Sequence, residues 1–218
     1  MERTPEPELM DEAEQALAYA DTDFSEVNQG LVERFCATFP DWRRGRLLDL
    51  GSGPGEVALR FARALPEVRV DALDGSQAML ALGRARVSPA PCGERVNFVR
   101  VYLPDLPFAP AVHDAIFSNS LLHHLADPRS LWEALAHCAR PEAPLLVCDL
   151  FRPESEARAR EIVAAEAAEE APILQEDFFR SLLAAYSLEE VRAQIQASGL
   201  RLEVEAISDR HLMAWGRR

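Results

Sequence analysis

The run Leu47-Leu48-Asp49-Leu50 leads directly into Gly51-Ser52-Gly53-Pro54-Gly55 and then into a helical pattern from Glu56. Glycines at a strand-to-helix junction let the backbone turn sharply and approach a ligand closely, and the start of the helix offers free N–H groups. A second β-type run ends in Leu73-Asp74, 23 residues after Gly51. A carboxylate is thereby placed at the carboxyl end of the next strand, where it can accept hydrogen bonds from ribose hydroxyls.

From Arg46 onward, short apolar β-rich runs alternate with helical patterns, the signature of a doubly wound α/β fold with a mostly parallel sheet covered on both faces. Strand candidates fall at 46–50, 68–73, 96–101, 112–118, 143–149, 200–206 and 210–216. Helices are expected near 55–65, 76–87 and 128–139, the last opened by Asp127 as N-cap and Pro128 at the first helical position. After Asp149 the alternation stops. The Ala/Glu/Arg-rich stretch 154–170 reads as a helix with one solvated face, and another helix follows around 175–185. Ser187 with Glu190 forms a capping box for a helix through Ser198 that Gly199 ends. Before the sheet, residues 1–8 are Pro- and Glu-rich and are expected to be disordered. Leu9, Ala13, Ala16, Leu17 and Ala20 fall at helical spacing, and Leu31, Val32, Phe35 and Phe39 mark a second helix stopped near Pro40.

Composition removes several function classes. The net charge of −13 is opposite to what a phosphate-backbone binder carries, so nucleic acid is not expected as a partner. All 23 basic residues are Arg, which excludes a Schiff-base or Walker lysine. Cys36, Cys92, Cys138 and Cys148 lack paired spacing, so neither a metal site nor a disulfide framework is expected, and they read as core residues in a reducing compartment. The acidic amino terminus does not resemble a signal peptide, and no apolar run approaches the ~18 residues of a membrane span. A soluble, cytoplasmic protein with no membrane partner is expected.

The glycine spacing is G-x-G-x-G with Asp49 ahead of it, not the G-x-G-x-x-G of dinucleotide binders. This resembles the first motif of the class I S-adenosylmethionine-dependent methyltransferases. A carboxylate there suits the ammonium of a sulfonium cofactor and would repel the pyrophosphate of NAD. Asp74-Gly75-Ser76 with Met79-Leu80 resembles the family's second motif, whose acid holds the ribose while the following residues line the adenine. Leu106-Pro107-Phe108, His113-Asp114-Ala115-Ile116 and Ser118 through Leu125 resemble the third and fourth motifs of the small-molecule branch. The likeness covers about residues 46–150, and Asp149 to Pro153 resembles the end of the fifth strand.

That resemblance implies a seven-stranded sheet with the last strand inserted antiparallel. It also implies S-adenosylmethionine as cofactor, with S-adenosylhomocysteine as product, held by Tyr19, Asp49, Gly51, Ser52, Gly53, Gly55, Asp74, Gly75, Ser76, Met79, Tyr102, Leu103, Asn119 and Ser120. The sequence departs from the pattern at Tyr102, where relatives place an Asp for the adenine amino group. Other departures are Pro141-Glu142-Ala143-Pro144 in place of a Pro-Gly-Gly turn, and His113 at a usually apolar position. The chain is expected to be a single domain: an N-terminal helical arm or lid over 1–45, a cofactor-binding core over 46–150, a helical insert over 151–186, and the last helix and strands over 187–218.

Methyl transfer from a sulfonium is an in-line displacement, so the enzyme aligns the acceptor and, for oxygen or nitrogen, removes a proton. His123 and His124 follow the fourth strand's carboxyl end and supply a candidate base. The alternative is that one of them caps or packs against the nearby helix. Asp149 and Arg152 are candidates for orienting the substrate, the alternative being that they pair with each other or cap a helix. Tyr19, Phe24 and the helix from Asn28 could close the cofactor from water, or simply dock on the sheet flank. The expected activity is methylation of a small-molecule acceptor by a monomer or homodimer. Its rivals are non-standard chemistry on the cofactor and a catalytically silent cofactor-binding partner protein.

Overall fold

The computed structural model describes residues 1–6 and 13–218. Seven strands form one sheet: β1 (Arg44–Leu50), β2 (Glu67–Asp74), β3 (Val96–Arg100), β4 (Ala115–Asn119), β5 (Pro144–Leu150), β6 (Leu202–Ala206) and β7 (His211–Arg217). Their order is β3-β2-β1-β4-β5-β7-β6, and β7 runs antiparallel to both neighbours while the other strands are parallel. The fold is therefore the expected α/β doubly wound sheet with an antiparallel last strand. Between β1 and β4 the strand order reverses, and open α/β sheets bind ligands in the crevice outside such a point.

Among the described residues eight α-helices accompany the sheet: α1 (Ala13–Asp21), α2 (Ser25–Thr38), α3 (Glu56–Ala64), α4 (Gln77–Val87), α5 (Arg129–Cys138), α6 (Glu156–Glu166), α7 (Pro172–Ala184) and α8 (Leu188–Ser198). On one face, Phe35 of α2, Phe61 of α3 and Phe117 of β4 meet edge to face, with centroids 5.2 to 6.4 Å apart. Trp132 and Leu135 of α5 join Val191 and Ile195 of α8 on the other face. Every residue of β5 is buried, as expected of a strand covered on both faces. No helix among the described residues is long and apolar enough to cross a membrane.

The main departure from expectation lies at the amino terminus, where residues 1–6 are docked and not disordered. Thr4 N–H donates to the Leu183 carbonyl at 3.0 Å, and the Arg3 guanidinium lies 4.1 Å over the Tyr186 ring while donating to the carbonyls of Ala184, His123 and Leu125. Composition does not register such waiting carbonyls. Residues 7–8 and Leu9 lie outside the described residues. The strand expected at 112–118 begins only at Ala115, because the Asp114 carboxylate turns back to accept Arg46 N–H at 2.8 Å and His113 makes an isolated bridge to Ala139. The helix expected over 154–170 stops at Glu166, and α7 opens earlier than expected, with Pro172 in its first turn. The capping box of Ser187 with Glu190 and the left-handed Gly199 stand as the sequence indicates.

Candidate active site

β1 delivers Asp49 and then turns through the glycine loop into α3. The N–H groups of Gly51 and Ser52 both donate to the Leu73 carbonyl, at 2.9 and 2.8 Å, tying the loop to β2. Asp74 completes the clamp: one carboxylate oxygen accepts Gly53 N–H at 2.7 Å and the other accepts Ser76 N–H at 2.8 Å. Ser76 in turn caps α4 by accepting Met79 N–H at 3.1 Å, which makes both residues part of the frame around the loop. Gly55 has φ of +72°, and a side chain there would collide with the Phe98 ring. Gly53 is also left-handed, but a Cβ on it would meet nothing within 4 Å, so this backbone borders open space at the crevice.

Asp49 is only 2% exposed, and its Oδ2 finds no hydrogen-bond donor among the described residues. Burial, reinforced by the nearby Asp74 charge, pushes its carboxyl up to about 7. Ser52 Oγ is likewise buried without a partner among the described residues. Tyr19 of α1 lies within reach of the Asp74 charge, and burial and then that charge raise its phenol above the ordinary range. Its ring lies 5.1 Å from that of Phe24, and Arg86 of α4 anchors the end of α1 by donating to the Ala20 carbonyl at 2.7 Å.

Tyr102, in the loop after β3, is 45% exposed and accepts a 2.6 Å hydrogen bond from Arg100. Arg100 also donates to the Gly75 carbonyl, so Tyr102 is tethered to the turn carrying Asp74. Leu103 is partly buried against the core cluster that includes Leu50 and Leu73. At the end of β4, Asn119 donates to Ser120 Oγ at 3.1 Å, while Ser120, with φ of +53°, donates its own N–H to Cys148 of β5.

The histidine pair sits on a 3-10 turn, Leu122–His124, immediately beyond β4. Asp149, wholly buried at the end of β5, organises it: Oδ2 accepts Leu122 N–H at 2.7 Å and Oδ1 lies 2.5 Å from His123 Nδ1. A carboxylate already accepting backbone hydrogens is an acceptor for this one too. Nδ1 therefore carries a hydrogen and Nε2 is the nitrogen with a variable proton. Burial opposes the imidazolium, but Asp149 and Glu6 outweigh it and hold His123 above its ordinary range.

Glu6 has no counterpart in the sequence reading. Its Oε1 lies 3.1 Å from His124 Nδ1 and 3.6 Å from His123 Nε2, and accepts a hydrogen bond from Ser181 Oγ. No local spacing could have linked residue 6 to residues 123 and 181. Arg152 does not join this group and does not pair with Asp149. It donates to Glu190 at 2.9 Å and to the Ala185 carbonyl, bracing the start of α8. The cysteines are free, and burial pushes Cys138 up to about 11 and Cys148 up to about 12, which suits packing and not nucleophilic attack.

Toward the amino ends of the same strands lies a second polar cluster. Asp71 of β2 is hydrogen-bonded by Arg46 and Asn97 and lies 3.1 Å from Nε2 of the fully buried His113. The unusual His113 is thus a partner for a buried acid, not a replacement for an apolar contact. Burial would raise the Asp71 carboxyl, but these three neighbours hold it well below the usual carboxylate range.

Residues 47–143 match the family model described as a methyltransferase domain. An O-methyltransferase of Aspergillus nomiae is 31% identical over 109 residues, covering 50% of this chain and 48% of that protein. The 27-O-demethylrifamycin SV methyltransferase of Amycolatopsis mediterranei is 28% identical over 192 residues, covering 87% of this chain and 66% of that one. The chain thus spans roughly half to two-thirds of the length of these curated relatives. A methyltransferase structure from Aquifex aeolicus superposes with a TM-score of 0.71 at 18% identity, over 94% of this chain and 98% of the other. Over residues 47–143 the chain is thus similar to methyltransferase domains, and its fold is that of the Aquifex aeolicus methyltransferase structure.

Proposed function

We propose that the chain binds S-adenosylmethionine in the crevice beside Gly51–Gly55 and methylates a hydroxyl group of a small-molecule acceptor, with His123 as the proton acceptor. The observation that carries this reading is Asp49. A buried carboxylate with an unsatisfied oxygen is costly, and an amino-acid ammonium supplies both the charge and the hydrogen bond it lacks. The open space over Gly53 accommodates a ligand at closest approach to the backbone. When bound, the cofactor supplies a methyl group made electrophilic by its sulfonium.

The protein's residues do the rest. Asp74 fixes the loop and presents carboxylate oxygens at the ribose position, while Tyr19 and α1 cover that position against water. Asp149 holds His123 in one tautomer, so that Nε2 can take a proton from an acceptor hydroxyl as the methyl is transferred. Both relatives described above are methyltransferases by name, one of them an O-methyltransferase, which supports an oxygen acceptor.

Calorimetric titration with S-adenosylhomocysteine, with NAD as control, tests the cofactor assignment. One site with micromolar affinity, about −8 kcal/mol, is expected for the first and none for the second. Silence from both in folded protein would overturn it. For the base, His123→Gln should lower kcat by roughly 10²- to 10⁴-fold with cofactor affinity nearly unchanged. In the parent, kcat/KM should rise with pH through a value above the ordinary imidazole pKa of ~6.5. A His123→Gln enzyme with parental kcat would remove His123 from the mechanism.

A further inference from the structure

We infer that Glu6, His123 and His124 form a binding site for a divalent transition-metal ion of the zinc class. Among the described residues these three form the one group of His, Cys, Asp or Glu side chains whose ligand atoms converge, all lying within 4.8 Å of one another. The two carboxylate–imidazole separations fit an ion. Bonds of ~2.0–2.1 Å in a tetrahedron place neighbouring donors ~3.3 Å apart, and the Glu6 oxygen stands 3.1 Å from one imidazole nitrogen and 3.6 Å from the other.

His124 Nδ1 makes no hydrogen bond among the described residues despite lying 3.1 Å from Glu6 Oε1. The two atoms stand about as far apart as two donors to a shared ion. His123 has the complementary feature: its far nitrogen is hydrogen-bonded to Asp149, the outer carboxylate that orients a metal-bound imidazole and raises its basicity. Two imidazoles and one carboxylate favour zinc or a related borderline ion over magnesium or calcium, and three protein ligands leave a fourth position open.

Both halves of the site are fixed without the ion. Asp149 and Arg3 hold the 3-10 turn through Leu122 N–H and the carbonyls of His123 and Leu125. Thr4 and Ser181 hold the Glu6 segment against α7. The sequence reading expected no metal, since cysteine spacing gave no sign of one and a ligand at residue 6 lies beyond any local motif. Binding is independent of the proposed reaction, but its effect on turnover rests on it. An ion on His123 Nε2 occupies the lone pair that proton acceptance requires, so stoichiometric zinc should suppress methyl transfer and EDTA should restore it.

The test is calorimetric titration of the metal-stripped full chain with Zn²⁺, with Mg²⁺ as control, and titration with Co²⁺ followed by visible absorption. One Zn²⁺ site of micromolar or tighter affinity is expected, with a cobalt spectrum free of thiolate charge-transfer bands and no Mg²⁺ binding. Glu6→Gln and His124→Gln should each weaken Zn²⁺ at least tenfold while keeping parental S-adenosylhomocysteine affinity, which verifies folding. Cys36→Ser, which removes the one cysteine that is not buried, should change nothing. Absent or multi-site binding, affinity unchanged in both ligand variants, or loss in Cys36→Ser would overturn the site. None of these outcomes bears on cofactor binding.

Discussion

Asp49 and Asp71 stand on adjacent strands of the same sheet and both are buried, yet their carboxyls are displaced in opposite directions. Asp71 has its neighbours built in: His113, Arg46 and Asn97 converge on its two oxygens, and none is left for an outside group. Asp49 has burial and a like charge instead of partners. One aspartate is complete within the fold, whereas the other keeps an oxygen without a donor among the described residues, which the proposed cofactor would supply. Burial alone therefore does not separate a structural acid from a binding one; the count of donors around it does.

The largest effect that could break this contrast is on pH-dependent stability. The native state binds a proton at Asp49 that the unfolded chain, with a carboxyl near 3.8, releases earlier. Stability of the cofactor-free chain should then fall as pH rises from about 4 to about 7, by about 4 kcal/mol for this one group. Denaturant melts across that window should show the fall in the parent and most of it removed in Asp49→Asn; the raised His123 acts in the same direction but at higher pH, above its ordinary value of ~6.5. An equal slope in both proteins would mean that Asp49 is not the titrating group.

Asp71→Ala probes the other side. Removing the acid strands a half-exposed Arg46 and a buried His113, so a loss of about 2–3 kcal/mol at neutral pH is expected with cofactor affinity unchanged. The stabilisation from Asp71 is present above the ordinary carboxylate range and is lost on acidification. Parental melts at neutral pH would show the cluster to be neutral for stability. The smallest effect sharpens the contrast: Asp49→Asn should weaken S-adenosylhomocysteine by roughly 10- to 100-fold, about 1.4–2.7 kcal/mol, as a charge-assisted contact becomes a neutral one. Calorimetry of the parent near pH 6, in buffers of different ionisation enthalpy, should also show a proton released on binding.

Much of this was legible in the chain itself. The alternation from Arg46 to Asp149, the glycine loop and the acid at the end of the second strand each depend on residues close in sequence, and periodicity and turn chemistry report such features well. Asp49 before the loop and Asp74 after it could be singled out for the same reason. Partnerships across long stretches were not legible. Asp149 could have paired with Arg152 three residues on, but it meets His123 instead, and Arg152 turns to Glu190. His113 makes sense only once β2 brings Asp71 beside it. The docking of residues 1–6 depends on carbonyls exposed at the ends of two structural elements, which no side-chain pattern encodes.

The insertion of β7 between β5 and β6 sets an order for the molecule's making. β5 carries Asp149 and pairs along its whole length with residues 211–217, which leave the ribosome more than sixty residues after it. Until they arrive, β5 is an open edge of almost wholly apolar residues, a template for pairing with another nascent chain. The histidine turn thus rests on the strand whose protection comes late in synthesis, and yield in a host cell should be most sensitive to changes in the β7 segment.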